Sequence, residues 1–147
     1  MEPAIQLRLL LDVAIAMALG SVIGFEREKS DKPAGFRTNM VVAGASALFV
    51  ILGRSIAGYI GAGLTSEAMG VDPTRIIHAI IVGVSFVGAG TIIKSREEET
   101  IHYLTTAATL LMSSATGICV ALGLYVLAAG VAALTVITNA LIKKIYG

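Results

Sequence analysis

From Tyr103 to Ile142 the chain runs for 40 residues without an Asp, Glu, Lys or Arg. One helix of that length would reach about 60 Å, roughly twice the hydrocarbon thickness of a bilayer. Irregular backbone does not stand exposed to lipid, so the run is predicted to cross a membrane twice. Three earlier apolar windows are each closed by charged residues. The pattern therefore predicts an all-α, polytopic membrane helical bundle of five transmembrane helices, spanning residues 5–25, 38–58, 73–93, 104–122 and 125–142, within a single domain, 1–147. The break in the long final run is placed at Ala121–Tyr125, where Gly123 loosens the helix and Tyr125 suits an interface.

Composition supports this class. Hydrophobic residues make up 56% and charged residues 14%, against about 45–50% and about 25% in soluble domains. The mean hydropathy is +0.85. A balance of 11 basic and 10 acidic residues argues against a nucleic-acid partner, which requires a strongly basic face. Cys119, the single cysteine, sits in an apolar segment and cannot form an intrachain disulfide. The first apolar window is followed by Glu26, Arg27 and Glu28, not by a small-residue cleavage site, which predicts a retained helix.

The basic residues also predict an orientation. Arg27, Lys29, Lys32, Arg37, Lys94, Arg96, Lys143 and Lys144 share one side, while Arg8, Arg54 and Arg75 lie toward the other. The positive-inside rule then puts the amino terminus outside and the carboxyl terminus in the cytoplasm.

On the first span Asp12, Ala16, Gly20 and Gly24 recur every four residues, predicting a face that lets another backbone come close beneath a carboxylate. A carboxylate in the hydrocarbon zone costs about 2.5–3.5 kcal/mol on insertion scales, so Asp12 requires a partner. Arg8, one turn away, and Arg54, at similar depth on the second span, are both available; an Asp12–Arg54 contact is the functional hypothesis. In the run Glu26-Arg27-Glu28-Lys29, which is otherwise a solvated helix end, Glu26 follows the glycine stripe and is predicted to look into the bundle toward Arg37. Thr38, Asn39, Thr105 and Thr106 are placed to cap helix N-termini. Capping accounts for them; a small polar vestibule for an ion or a partner segment is the alternative.

The third span opens on Asp72-Pro73, an N-cap before the proline suited to a first turn, followed by Arg75. Its middle holds Gly83, Ser85, Gly88 and Gly90, which predicts close helix packing or an unwound stretch lining a cavity. On the fourth span Thr106, Thr109, Ser113 and Thr116 share a face, either bonding back to their own helix or lining a pathway. His78 has no second ligand at metal spacing, so no transition-metal site is read, and any other metal ligand set is left unassigned.

Four ordered blocks, Gly24-Phe-Glu-Arg-Glu28, Lys32-Pro-Ala-Gly-Phe-Arg-Thr38, Asp72-Pro-Thr-Arg-Ile76 with Phe86-Val-Gly-Ala-Gly90, and Leu104-Thr-Thr-Ala-Ala108, resemble those of the MgtC/SapB membrane-protein family. The resemblance runs from about residue 8 onward. It implies a multi-pass protein of the bacterial or archaeal inner membrane, linked in better-known members to growth at low magnesium and survival inside host cells. It also implies action partly through other membrane proteins. The positions matching the blocks are Glu26, Arg27, Glu28, Arg37, Thr38, Asp72, Arg75, Gly88, Gly90, Thr105 and Thr106; Asp12 is added on physical grounds. Asn39, Ala79, Ser85 and Leu111 depart from the family's usual histidine, glutamine, glycine and tryptophan. Virulence-associated members carry a further soluble domain, and this sequence is read as the membrane unit alone, which leaves host-survival roles without support here.

Two functions follow. The first is a regulatory protein of magnesium-linked homeostasis that contacts another integral membrane protein, or a second copy as a homodimer, through its small-residue faces. The second is a small oligomeric cation transporter or channel routed past Asp12, Glu26 and the hydroxyl face of the fourth span. No nucleophile–base pair, metal cluster or phosphate loop is present in the sequence, so an enzyme is disfavoured and no cofactor is assigned.

Overall fold

The computed structural model describes residues 2–61, 74–93 and 103–146. Five helices account for nearly all of them: α1 (Pro3–Lys29), α2 (Phe36–Gly61), α3 (Thr74–Ile93), α4 (Leu104–Ala121) and α5 (Tyr125–Tyr146). Each predicted span falls on one helix, and the first, second and fifth helices run beyond the predicted ends. Helices α1 to α4 are long and apolar enough to cross a membrane, whereas α5 carries a shorter apolar stretch, Tyr125–Leu141. The chain is a multi-pass membrane protein. Large apolar side chains such as Leu7, Leu10, Phe49, Val82, Phe86, Val126 and Leu134 stand on the outside of the bundle, as lipid-facing positions require.

Two helix ends are closed by the same hydrogen-bond pattern. After α1, Lys32 N–H donates to Arg27 O and Asp31 N–H to Glu28 O, with Asp31 in the left-handed region at φ 51°. After α4, Leu124 N–H donates to Cys119 O and Gly123 N–H to Val120 O, with Gly123 at φ 77°. These are Schellman turns, which satisfy carbonyls that the last helical turn leaves open. They define two ends of the bundle: the loop end, with the α1–α2 connection and the start of α4, and the turn end, with the α4–α5 connection.

Helix α4 is the central element. It packs against each of the other four helices, while among the described residues α3 touches only α2 and α4. The α1 glycine stripe is used inside the molecule: a Cβ on Gly20 would lie 2.5 Å from Asn39 O and 2.7 Å from Ala43 Cβ, and one on Gly24 2.7 Å from Gly35 O. A Cβ on Gly117 of α4 would collide with Ala43 O from the other side. Ala43 is thus clamped between α1 and α4, and three backbones meet with no room for one more methyl.

The interior divides along its length. Toward the turn end it is apolar, built from Ala16, Ala47, Val50, Ile51, Ile80, Ile118, Val120, Ala121 and Ala128. Toward the loop end it is polar, with Arg27, Asn39, Ser46, Thr106, Thr109, Ser113, Ser114 and Thr116 all buried.

Candidate functional site

The loop-end interior is a seam of side chains from different helices bonded across α4. Arg27, on the last turn of α1 and 5% exposed, donates through a terminal guanidinium nitrogen to Thr106 Oγ1 at 2.9 Å. About two turns deeper, Ser113 Oγ donates to Asn39 Oδ1 at 2.7 Å, and Ser46 and Ser114 share a hydroxyl contact of 2.8 Å. From α5, Asn139 Nδ2 reaches Thr109 Oγ1 at 3.5 Å. Thr106 and Ser114 are eight residues apart on α4, so the seam extends about 12 Å inward, less than half a hydrocarbon thickness. Thr109 and Thr116 also bond back to the carbonyls of Thr105 and Met112, which meets their donor needs in the absence of water.

Asn39 ties this seam to the α1–α2 connection. Its amide nitrogen donates to the carbonyls of Ala34 and Gly35, the second at 3.0 Å, while its oxygen accepts from α4. Asn39 therefore does not cap an N–H group, contrary to the expectation from sequence. The cap on α2 comes from α1: Glu28 Oε2 accepts from Phe36 N–H at 2.9 Å, lying over Gly35. A carboxylate at a helix N-terminus also meets the positive end of the peptide dipoles. Thr38 is exposed at this end. Likewise Thr106 is not a cap on α4, because it is buried and accepts from Arg27, and Thr105 is exposed and contributes its carbonyl.

The predicted Glu26–Arg37 pair does not form. Arg37 is exposed, and Glu26 Oε1 instead accepts from Ser30 Oγ at 3.0 Å on its own helix end. The charged residue that enters the bundle here is Arg27, not Glu26 alone. At the turn end the predicted Asp12–Arg54 pair is absent as well. Tyr125 Oη donates to Asp12 Oδ1 at 2.7 Å, and Arg54 donates to Ala121 O at 2.9 Å. Each has found a nearer partner at the α4–α5 turn: Arg54 caps the carbonyl end of α4, and Asp12 is held by the first residue of α5. Asp12 remains on the same α1 stripe as Ala16, Gly20 and Gly24.

On α3, Gly88 packs on Ala107 of α4, 3.1 Å from its would-be Cβ. Gly83 and Gly90 have open space where a side chain would be, and Ser85 is exposed, so among the described residues no helix packs closely on these three. Helix α3 is continuous through this stretch. Arg75 is exposed at its start, and Asp72 lies outside the described residues. Among the described residues no group of three or more His, Cys, Asp or Glu is placed to hold a metal ion.

Ser46 and Tyr125 carry contacts that the sequence reading did not assign. Ser46 lies seven residues after Asn39 and shares its helix face with Ala43, a spacing that points to the same interior.

A model of the MgtC family matches residues 13–147. The chain belongs to the MgtC family. It is 36% identical over 133 residues to the protein MgtC of Brucella abortus (strain 2308), a match covering 90% of this chain and 50% of that protein. The putative magnesium transporter YhiD of Escherichia coli (strain K12) is 36% identical over 113 residues, 77% of this chain and 50% of its own. A protein of Synechocystis sp. is 40% identical over 116 residues, 79% of this chain and 44% of its own. The chain thus spans about half the length of the curated relatives it matches. No solved structure matches.

Proposed function

We propose that this MgtC-family chain serves magnesium homeostasis in a bacterial inner membrane, with its loop end in the cytoplasm, by contacting other integral membrane proteins or a second copy of itself. One observation carries the reading. The α1–α2–α4 interior is closed to the width of a methyl at Gly20, Gly24 and Gly117, while Gly83 and Gly90 on α3 have nothing against them among the described residues. A closed interior supports a rigid contact-making body over an ion path through one protomer. Small residues on an outer face support close approach by another helix. The magnesium link draws on the names of the relatives.

The test is growth at limiting magnesium of cells that depend on this chain, with Gly83→Leu and Gly90→Leu compared with the unsubstituted protein. Loss of growth at unchanged membrane abundance supports the reading; full growth with both substitutions together contradicts it. A second reading, a small oligomeric cation transporter, is favoured by the buried polar seam and by the transporter name of one relative. It requires a route between copies, since the polar seam ends against the apolar turn-end core.

A further inference from the structure

The end of α1 and the start of α2 enclose a cavity of about 430 Å³ lined by Phe25, Glu28, Lys29 and Phe36, within the range of about 300–1,000 Å³ that small-molecule sites occupy. It lies where hydrocarbon gives way to headgroups, because the apolar part of α1 ends at Phe25 and its charge run begins at Glu26. Val22 and Phe25 are 52% and 62% exposed, so the Phe25 wall of the cavity borders the acyl chains. The polar lining has both signs. Glu28 commits Oε2 to Phe36 N–H, while its Oε1 has no partner among the described residues. The Lys29 ammonium is exposed and has no partner among them either. Consecutive side chains diverge by about 100° around a helix, so Glu28 and Lys29 border one cavity without facing each other.

We propose that this cavity is a headgroup site for phosphatidylethanolamine, a lipid whose headgroup carries a primary ammonium and a phosphate. The ammonium donates to Glu28 Oε1 beside the Phe25 and Phe36 rings, since aromatic rings with a carboxylate recognise alkylammonium ions. The phosphate meets the Lys29 ammonium, and the acyl chains run along the outside of α1 past Phe25 and Val22. Two separated charges of opposite sign select the ligand. An anionic headgroup such as phosphatidylglycerol meets Lys29 and is repelled by Glu28. A choline headgroup has no N–H to give to Oε1. A soluble zwitterion lacks the chains that the exposed face of Phe25 and Val22 is placed to hold. The site stands independently of the role in magnesium homeostasis; it requires only that the loop end lie at a membrane surface.

The test is native mass spectrometry of the full chain released from detergent micelles, titrated in turn with phosphatidylethanolamine, phosphatidylglycerol and phosphatidylcholine of identical acyl chains. The unsubstituted protein is expected to retain phosphatidylethanolamine in preference to the other two. Lys29→Gln and Glu28→Gln are each expected to abolish that preference, and Phe25→Leu to weaken it by about two- to fivefold, the contribution of one exposed cation–π contact. Glycerophosphoethanolamine at equal concentration is expected not to displace the lipid. Equal retention of the three lipids, a preference for phosphatidylglycerol or phosphatidylcholine, an unchanged preference in Lys29→Gln, or displacement by the chain-free headgroup overturns the proposal. If Glu28→Gln loses helical circular dichroism through its role at the start of α2, Lys29→Gln and Phe25→Leu decide the matter, since neither removes a hydrogen bond.

Discussion

The carbonyl of Ala43 on α2 lies where a side chain on Gly117 of α4 would begin, so these two backbones touch with nothing between them. On its other side Ala43 meets Gly20 of α1. Overpacking a filled interior costs about 1–3 kcal/mol and more where backbone is the obstacle. Gly117→Ala and Gly20→Ala are each expected to destabilise the bundle by at least that much in denaturant titrations in mixed micelles. Gly83→Ala on α3 meets open space and is expected to leave stability unchanged or raise it by up to about 1 kcal/mol through helix propensity.

Arg27 and Thr106 form the only cross-helix bond made by a buried charge among the described residues. Thr106→Val keeps the shape and removes the acceptor, leaving a guanidinium nitrogen unmatched. It is expected to cost about 1–3 kcal/mol in the same titration. Thr105→Val, at an exposed neighbour, is expected to stay within about 0.5 kcal/mol of the unsubstituted protein.

Ala34 sits at φ 56°, a left-handed conformation that costs a non-glycine residue about 1–2 kcal/mol. Asn39 holds it there by gathering the carbonyls of Ala34 and Gly35. Ala34→Gly is therefore expected to raise stability by about 1 kcal/mol. Asn39→Ala, which frees those carbonyls and the Ser113 hydroxyl, is expected to lower it by about 1–3 kcal/mol. A stability change of the opposite sign for either substitution would contradict this description of the connection.

Tyr125 and Asp12 join α5 to α1, and a double-mutant cycle with Tyr125→Phe and Asp12→Asn is expected to show a favourable, non-additive coupling. The corresponding cycle between Asp12→Asn and Arg54→Gln is expected to be additive within about 0.5 kcal/mol, because the two side chains have separate partners.

The architecture was legible because lipid imposes a long apolar period that few other patterns mimic, and the helices begin and end near the predicted residues. The α1 stripe of Asp12, Ala16, Gly20 and Gly24 also read correctly as bundle-facing, since spacing alone fixes a helix face. Pairing did not read. Depth along two helices placed Asp12 beside Arg54, yet which neighbour a side chain meets depends on helix rotation and on the α4–α5 turn, and Tyr125 and Ala121 O intervene. Arg27 was taken with a solvated charge run because its contact with Thr106 joins segments 79 residues apart, which local spacing does not show. The outward aim of Gly83 and Gly90 was hidden for a related reason: glycine marks close approach without saying whether the approaching backbone belongs to the same chain.

The central claim, that one protomer's interior is closed and the chain acts through its outer contacts, is tested most directly by magnesium flux into liposomes carrying only the purified chain. The account predicts uptake no greater than in protein-free liposomes. Uptake above that level that is abolished by Thr106→Val or Arg27→Ala, with the protein still folded and inserted, would contradict it.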